Sequence, residues 1–394
     1  MFSVLKNKTN DLELIKTYLS TLVYKENGNI SYDPWLILQN MKLARKIVLR
    51  LIETFDFSKI DGVCILANSG IPLGVMLSQA ISKPMFFYRR QPWSIEDKPN
   101  KPFFIYPIPE EGSNLVLVDS NIGDGTTSGA CVSFLENNNI NVKSCITPIS
   151  FIHQAKYHVE RNIEYISLVY AEEIIDDLLE LFHCETEEKV LQVITKRKEE
   201  EVPISGINNK TKKLSFGKKI QTIFSNFFSS KYQFSVIDED LSSFLKKSFG
   251  SEESQFWSVF SKPKDLKEAC LKISKATGID EYDIFFGTGF FGTIFAIMLA
   301  WYSNSDKKIY STYLLAGWDT LNEQADANNK YIIISGRLRT GIIIKRLLLD
   351  LEKINITTEA VVAIRHINYK PKIFTIQCLN ELKSKLNNRL LICS

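Results

Sequence analysis

The sequence predicts an α/β protein in which parallel sheets are flanked by helices and the same plan is laid down twice. Three observations predict it. Short continuous apolar runs (DGVCILA, NLVLVD and NVKSCITPISF) alternate with helical patterns, as strands buried on both faces do. The first two runs lead through Gly-containing turns into helices. From residue 235 onward the pattern begins again.

Taken in order, residues 11–23 and 35–55 carry apolar positions at helical spacing, the second through Leu36, Leu38, Met41, Leu43, Ile47, Leu51 and Ile52. KENGNISYDP between them contains Gly, Asn and Pro and reads as a break. DGVCILA is a strand, SGIPLGVMLSQAIS a turn and helix, and PMFFYRR a further strand. Residues 91–113 hold five prolines and many charges and are expected to form an excursion or flexible loop. NLVLVD is a buried strand, NIGDGTTSG a turn and GACVSFLEN a helix; NVKSCITPISF is another strand, and a helix follows near 171–183. At about residue 186 the composition shifts. EEKVLQVITKRKEEE reads as a solvated helix and VPISGINNKTKKLSFGKK as a linker.

The second half repeats the order of the first. YDIFFGTGFFGTIFAIMLA matches VCILANSGIPLGVMLSQAI, with Gly289 at the place of Gly70, an offset of 219. KYIIISGRLRTGIIIKRLLLDLEKINI matches NLVLVDSNIGDGTTSGACVSFLENNNI at an offset of 216, without a gap over the eighteen positions from Asp119 to Glu136. A period above 200 residues implies a duplicated domain rather than a solenoid. The expected division is a first domain at 1–185, a charged helix and linker at 186–234, and a second, degenerate domain at 235–394.

Composition excludes several classes. With 45% hydrophobic and 24% charged residues, extensive disorder is excluded. The 48 Lys and Arg against 45 Asp and Glu give +3, too balanced to indicate a nucleic-acid binder by charge. The longest apolar run, Ile284–Tyr302, is interrupted by Gly and Thr and reads as buried strand and helix rather than a membrane span. Seven Cys without paired spacing indicate neither a disulfide framework nor a zinc site, and a cytoplasmic location is expected. His153 and His158 lack a partner acid in metal-binding spacing and read as surface residues; Phe224, Phe227 and Phe228 read as core or partner-binding surface; Cys64 and Cys131 read as core.

LVLVDSNIGDGTTSG carries the chemistry. Four apolar residues deliver Asp119 to the carboxyl end of a strand, and a Gly/Thr turn opens a helix. Backbone N–H groups at such a helix start favour a phosphate, Thr126 and Thr127 add hydroxyl donors, and a strand-end carboxylate suits a sugar diol or a hydrated metal. It is neither a Walker A loop nor a G-x-G-x-x-G fingerprint. A plain strand–turn–helix with a capping Asp or Thr satisfies the same residues equally well.

The wider context resembles the type I phosphoribosyltransferases, most closely the orotate phosphoribosyltransferase group, over residues 25–150. DSNIGDGTT sits where that family carries its phosphoribosyl pyrophosphate signature. LANSGIPLGVMLSQAISKPMFFYRR resembles its pyrophosphate loop, helix and basic-ended strand. NGNISYDP resembles the segment facing the base, and EEGSNLVLVD the return from its catalytic loop. The resemblance implies that Asp119 holds ribose hydroxyls and that Gly123, Asp124, Gly125, Thr126 and Thr127 surround the 5′-phosphate. It also implies that Asn68, Ser69 and Gly70 form the pyrophosphate loop, with Mg²⁺ bridging through pyrophosphate and ribose hydroxyls rather than protein ligands. Arg89 and Arg90 would neutralise pyrophosphate oxygens, and residues 91–111 would close over the site, with Lys98 or Lys101 as its cation.

The departures are specific. Ser120 replaces the second of two adjacent acids, Gly123 replaces a Thr, and Asp124 puts an anion into the phosphate loop. In the second half SGRLRTG has no acid; Arg337, Arg339, Thr340 and Gly341 are its candidate anion ligands, weighed against a degenerate structural copy. Two functions are therefore expected. One is a divergent, Mg²⁺-dependent glycosyltransferase that binds phosphoribosyl pyrophosphate or a nucleotide and passes phosphoribosyl to an unspecified acceptor. The other is a catalytically degenerate nucleotide sensor or scaffold subunit of a larger assembly, of defence type among others. A homodimer or protein partner is compatible with both. Nucleic acid at the basic 191–219 segment is the weaker partner reading, and no membrane partner is expected.

Overall fold

Two sheets with the same strand order face each other across a shared apolar layer. In the computed structural model, residues 2–26, 29–89, 104–123, 125–151, 163–195, 243–245, 247, 257–303, 306–312, 328–338, 342–356, 358, 360–366 and 390–392 are described. The first half contains α1 (Phe2–Leu22), β1 (Val23–Glu26), β2 (Asn29–Tyr32), α2 (Met41–Thr54), β3 (Gly62–Leu66), α3 (Ile71–Ile81), β4 (Met85–Arg89) and β5 (Phe104–Tyr106). It continues with β6 (Asn114–Val118), β7 (Asn121–Ile122), α4 (Thr126–Glu136), β8 (Asn141–Ser150), β9 (Glu164–Tyr170), α5 (Ile175–Phe182) and α6 (Glu187–Thr195). The second half contains α7 (Pro263–Thr277), β10 (Ile284–Thr288), α8 (Gly289–Tyr302), β11 (Lys308–Ser311), β12 (Tyr331–Leu338), α9 (Ile342–Lys353), β13 (Ala360–His366) and β14 (Leu390–Ile392).

Several elements differ from the sequence reading. Residues 35–55 are not one helix: Pro34–Gln39 forms a 3-10 segment, and the Asn40 side chain caps α2 by accepting from the Leu43 N–H at 3.0 Å. KENGNISYDP, read as a break, carries the antiparallel hairpin of β1 and β2. Strand β9 lies where no strand was expected. Helix α6, read as solvated, buries Val190, Leu191 and Ile194 in the core.

The first sheet runs β5-β4-β3-β6-β8, with β7 and β9 both beside β8; every pairing is parallel except β4–β5. Its five long parallel strands therefore stand in the order second, first, third, fourth, fifth. The second sheet, β11-β10-β12-β13-β14, is parallel throughout and has the same order. The registers also coincide. Val63 pairs with Val116 and Val118 with Ile146, as Phe285 pairs with Ile332 and Ile334 with Val362. Asp61 accepts the Asn114 N–H at 2.8 Å, and Asp283 accepts the Lys330 N–H at 2.9 Å.

These equivalences revise the sequence alignment. The β6–α4 and β12–α9 units correspond at an offset of 216, as read. The α2–β3 unit corresponds to α7–β10 at 222, not 219, so the counterpart of Gly70 is Gly292 rather than Gly289. Trp35 and Trp257 share that spacing.

Strand residues alternate between two apolar layers. Val63 and Ile65 point into the layer shared by both halves, and Cys64 and Leu66 into a separate layer under α4. Likewise Ile332 and Ile334 enter the shared layer, and Tyr331 and Ile333 the layer under α9. Helices α3 and α8 pack on each other within the shared layer, so both are apolar on all sides. Each fully buried Leu, Ile, Val or Met there contributes on the order of 1.5–3 kcal/mol. This accounts for the long apolar run: it is β10 followed by α8. Among the described residues, no helix is long and apolar enough to cross a membrane.

Candidate functional site

The order second-first-third opens a crevice at the carboxyl ends of β3 and β6, where the connections leave on opposite sides of the sheet. The loop after β3 forms one wall. The Ala67 N–H donates to the Tyr88 carbonyl at 2.9 Å, and the Gly70 N–H to the Leu66 carbonyl at 2.9 Å. Gly70 passes so close to β6 that a Cβ would lie 2.5 Å from the Val118 carbonyl oxygen and 3.1 Å from the Asp119 Cα. Only a residue without a side chain fits.

Asp119 stands on the other wall, immediately after β6, and is 9% exposed. Its Oδ1 accepts from Ser69 Oγ at 2.5 Å and from the Ser120 N–H at 2.7 Å. The sequence-predicted pair Ser69 and Asp119 is thus joined directly across the crevice. Gly125, at φ +74°, precedes α4, which starts with the half-buried Thr126 and Thr127. Gly123 lies between β7 and this turn. Arg89 ends β4 at the same edge of the sheet. Arg90, residues 91–103, Asp124, His153, His158 and the segment 196–242 lie outside the described residues. Of the second-half candidates, Arg337 lies on β12 opposite Arg365, whereas Arg339, Thr340 and Gly341 lie outside the described residues. Ser335 occupies the place of Asp119 and is buried.

A tyrosine pair that sequence reasoning missed secures this wall from behind. Ser120 is turned inward, 1% exposed, and its carbonyl accepts from the Tyr18 hydroxyl at 3.2 Å. Asn121 Nδ2 donates to the Tyr32 oxygen at 3.0 Å and to Ser120 Oγ at 3.3 Å. The available signal was Tyr18 on the apolar face of α1, between Ile15 and Leu22. Burial, assisted by the neighbouring Asp119 charge, pushes both phenols above their ordinary value of 10.0. Burial likewise raises the Cys131 and Cys145 thiols, so these are core groups rather than nucleophiles.

A pH dependence follows. A phenol whose folded pKa exceeds its unfolded one stabilises the fold fully below pH 10.0, and that stability is lost as pH rises toward the folded value. The melting temperature is therefore expected to fall above pH 10.0, and Tyr18→Phe is expected to flatten that fall while costing about 1 kcal/mol near neutrality. Melting curves across pH check this; an unchanged alkaline slope in Tyr18→Phe contradicts it.

Among the described residues no group of three or more His, Cys, Asp or Glu is placed to hold a metal ion. Among the described residues the crevice offers one carboxylate, a serine hydroxyl, backbone N–H groups and a helix start, a donor set suited to a phosphorylated sugar.

No protein-family model and no curated protein matches this chain. Solved structures do. Orotate phosphoribosyltransferase from Aeropyrum pernix is 17% identical over 42% of this chain and 94% of that one, with a TM-score of 0.35. Adenine phosphoribosyltransferase from Saccharomyces cerevisiae is 22% identical over 39% and 98%, with a TM-score of 0.32. UMP synthase from Leishmania donovani is 15% identical over 47% and 42%, with a TM-score of 0.36. Phosphoribosyltransferases are therefore among what this chain is similar to in structure, over part of its length and at low identity. The functional reading rests on the geometry of the crevice.

Proposed function

We propose that the first half binds phosphoribosyl pyrophosphate or a nucleotide in the crevice between β3 and β6. The observation that carries this is the Asp119 carboxylate, presented at the carboxyl end of β6 and tied to Ser69 across the switch point. Asp119 would accept the ribose hydroxyls, and the 123–127 turn at the start of α4 would receive the 5′-phosphate. The backbone of Asn68–Gly70, with Arg89 at the sheet edge, would face the pyrophosphate. Mg²⁺ would arrive on the pyrophosphate and neutralise part of its charge; the chain's donor set fits such a carried ion.

Transfer would break the bond between ribose C1 and the pyrophosphate oxygen and form one to an acceptor, with positive charge building at the ribose. One observation favours binding over efficient transfer. The position beside Asp119 is Ser120, and it is turned into the tyrosine cluster rather than toward the crevice. The site thus lacks a second carboxylate there to face the cation. A sensor or scaffold subunit is the reading this geometry favours, with phosphoribosyl transfer as the more active alternative.

Ligand-induced stabilisation tests the proposal. Phosphoribosyl pyrophosphate with Mg²⁺ at roughly 100 times its Kd is expected to add about 2.7 kcal/mol and raise the melting temperature by several degrees. Inorganic sulfate at equal ionic strength is expected to do far less. No shift with phosphoribosyl pyrophosphate or any nucleotide contradicts it.

A further inference from the structure

The loop after β10 keeps the backbone of its counterpart after β3 and changes its side chains. At the offset of 222, Asn68, Ser69 and Gly70 correspond to Phe290, Phe291 and Gly292. Gly292 makes the same close approach as Gly70: a Cβ there would lie 2.5 Å from the Ile334 carbonyl oxygen and 3.3 Å from the Ser335 Cα. The backbone of the loop is therefore kept, and its chemistry is replaced. Where Ser69 donates to Asp119, Phe291 lies against Gly336, whose Cβ would fall 2.3 Å from that of Phe291. At the strand end, Ser335 stands in place of the Asp119 carboxylate. Among the described residues of this loop and strand end, two aromatic rings and a serine stand where the first half has Asn68, Ser69 and Asp119.

The rings serve another contact. Phe290 packs edge-on against Phe87 of β4 at 5.1 Å, and Phe291 against Trp257 at 4.7 Å. Trp257 in turn reaches Tyr106 of β5 at 5.3 Å. The loop that faces ligand in one half thus anchors the other half's sheet edge.

Among the described residues, the main helix and strand contacts between the halves come in equivalent pairs. Helices α3 and α8, which correspond, pack on each other. Helix α2 touches α8 as α7 touches α3. The 3-10 segment Pro34–Gln39 touches β11 as its counterpart Val259–Ser261 touches β4. A contact in which patch meets equivalent patch, each partner returning the other's interactions, is the isologous kind that joins two copies around a two-fold axis. The pairing is closed by bonds that are not symmetric: Arg45 Nη2 donates to the Ala300 and Ser303 carbonyls at 2.5 and 2.6 Å, and the Tyr302 hydroxyl to Gln79 Oε1 at 2.8 Å.

We propose that the second half is a duplicated copy serving as the first half's built-in partner, in which the Phe290–Gly292 loop is an aromatic anchor and not a ligand loop. The chain then carries one ligand site, on the first half. The interface is the claim independent of ligand; the site count rests on the function proposed above.

The test uses the full chain with a site-specific protease sequence inserted after residue 219. After cleavage, the two halves are expected to elute together. In Phe290→Ser/Phe291→Ser they are expected to separate, with association weakened at least ~30-fold, and Phe290→Leu/Phe291→Leu is expected to restore co-elution. Titration of the uncut chain with phosphoribosyl pyrophosphate and Mg²⁺ is expected to give one site. Separation of the cut unsubstituted halves, co-elution of the serine variant, or two sites per chain would each overturn the proposal. Absence of any ligand binding would defeat the reading of the first site, while the elution results still decide the partner role.

Discussion

Asp119→Asn is expected to weaken binding of phosphoribosyl pyrophosphate by roughly 100-fold, because charge-assisted hydrogen bonds of about 1.5–3 kcal/mol each become neutral ones. The fold is expected to survive. An asparagine oxygen can still accept from Ser69 Oγ and the Ser120 N–H, the two bonds that Oδ1 now receives. Asp119→Ala would remove both, so its loss of affinity would mix lost recognition with a loosened loop. Titration of the two variants, each with a melting curve, separates these effects. Equal affinity in Asp119→Asn and the unsubstituted chain would remove Asp119 from the site.

Gly70→Ala and Gly292→Ala form a matched pair with the second large effect. Both would drive a methyl group to 2.5 Å from a strand carbonyl, Val118 in one case and Ile334 in the other. Neither carbonyl can retreat, since each belongs to the central strand of its sheet. A destabilisation of roughly 3 kcal/mol or more is expected for each. Their effects on ligand should differ. Gly70→Ala displaces the Ser69–Asp119 wall and is expected to abolish binding. Gly292→Ala disturbs the aromatic anchor and is expected to leave the affinity of the folded protein within about twofold. Chemical denaturation and titration of both proteins check this. Loss of binding in Gly292→Ala but not Gly70→Ala would reverse the assignment of the two halves.

The strands bordering the crevice were legible because their residues are apolar without interruption. DGVCILA and NLVLVD became β3 and β6, and the Gly-containing turns after them became the loop at 67–70 and the start of α4. The hairpin of β1 and β2 was obscured by its polar residues, since β2 buries only Tyr32. Strand β9 was missed for a related reason, having only Leu168 and Val169 buried near its end. The solvated reading of α6 came from the charged run KRKEEE that follows it in sequence; within α6 itself four apolar residues stand beside three charged ones, and Val190, Leu191 and Ile194 are buried.

The alignment error has a clearer cause. After β10 the run GFFGT offers two glycines, Gly289 and Gly292, and the sequence alone favoured Gly289. The strand register and the Asp61 and Asp283 bonds select Gly292 instead. Trp35 and Trp257 at the same spacing were a usable signal. With the wrong offset, Phe291 could not be seen standing where Ser69 stands. Sequence reasoning therefore named Arg337, Arg339, Thr340 and Gly341 as second-half candidates and gave Phe290 and Phe291 no role.

The central claim is one phosphoribosyl site at the crevice of β3 and β6, and calorimetric titration of the full chain with phosphoribosyl pyrophosphate and Mg²⁺ tests it most directly. The account predicts one site per chain, lost in Asp119→Asn at the same ligand concentrations and retained in Arg337→Ala. Binding that survives Asp119→Asn and disappears in Arg337→Ala would place the ligand on the other half and contradict the account.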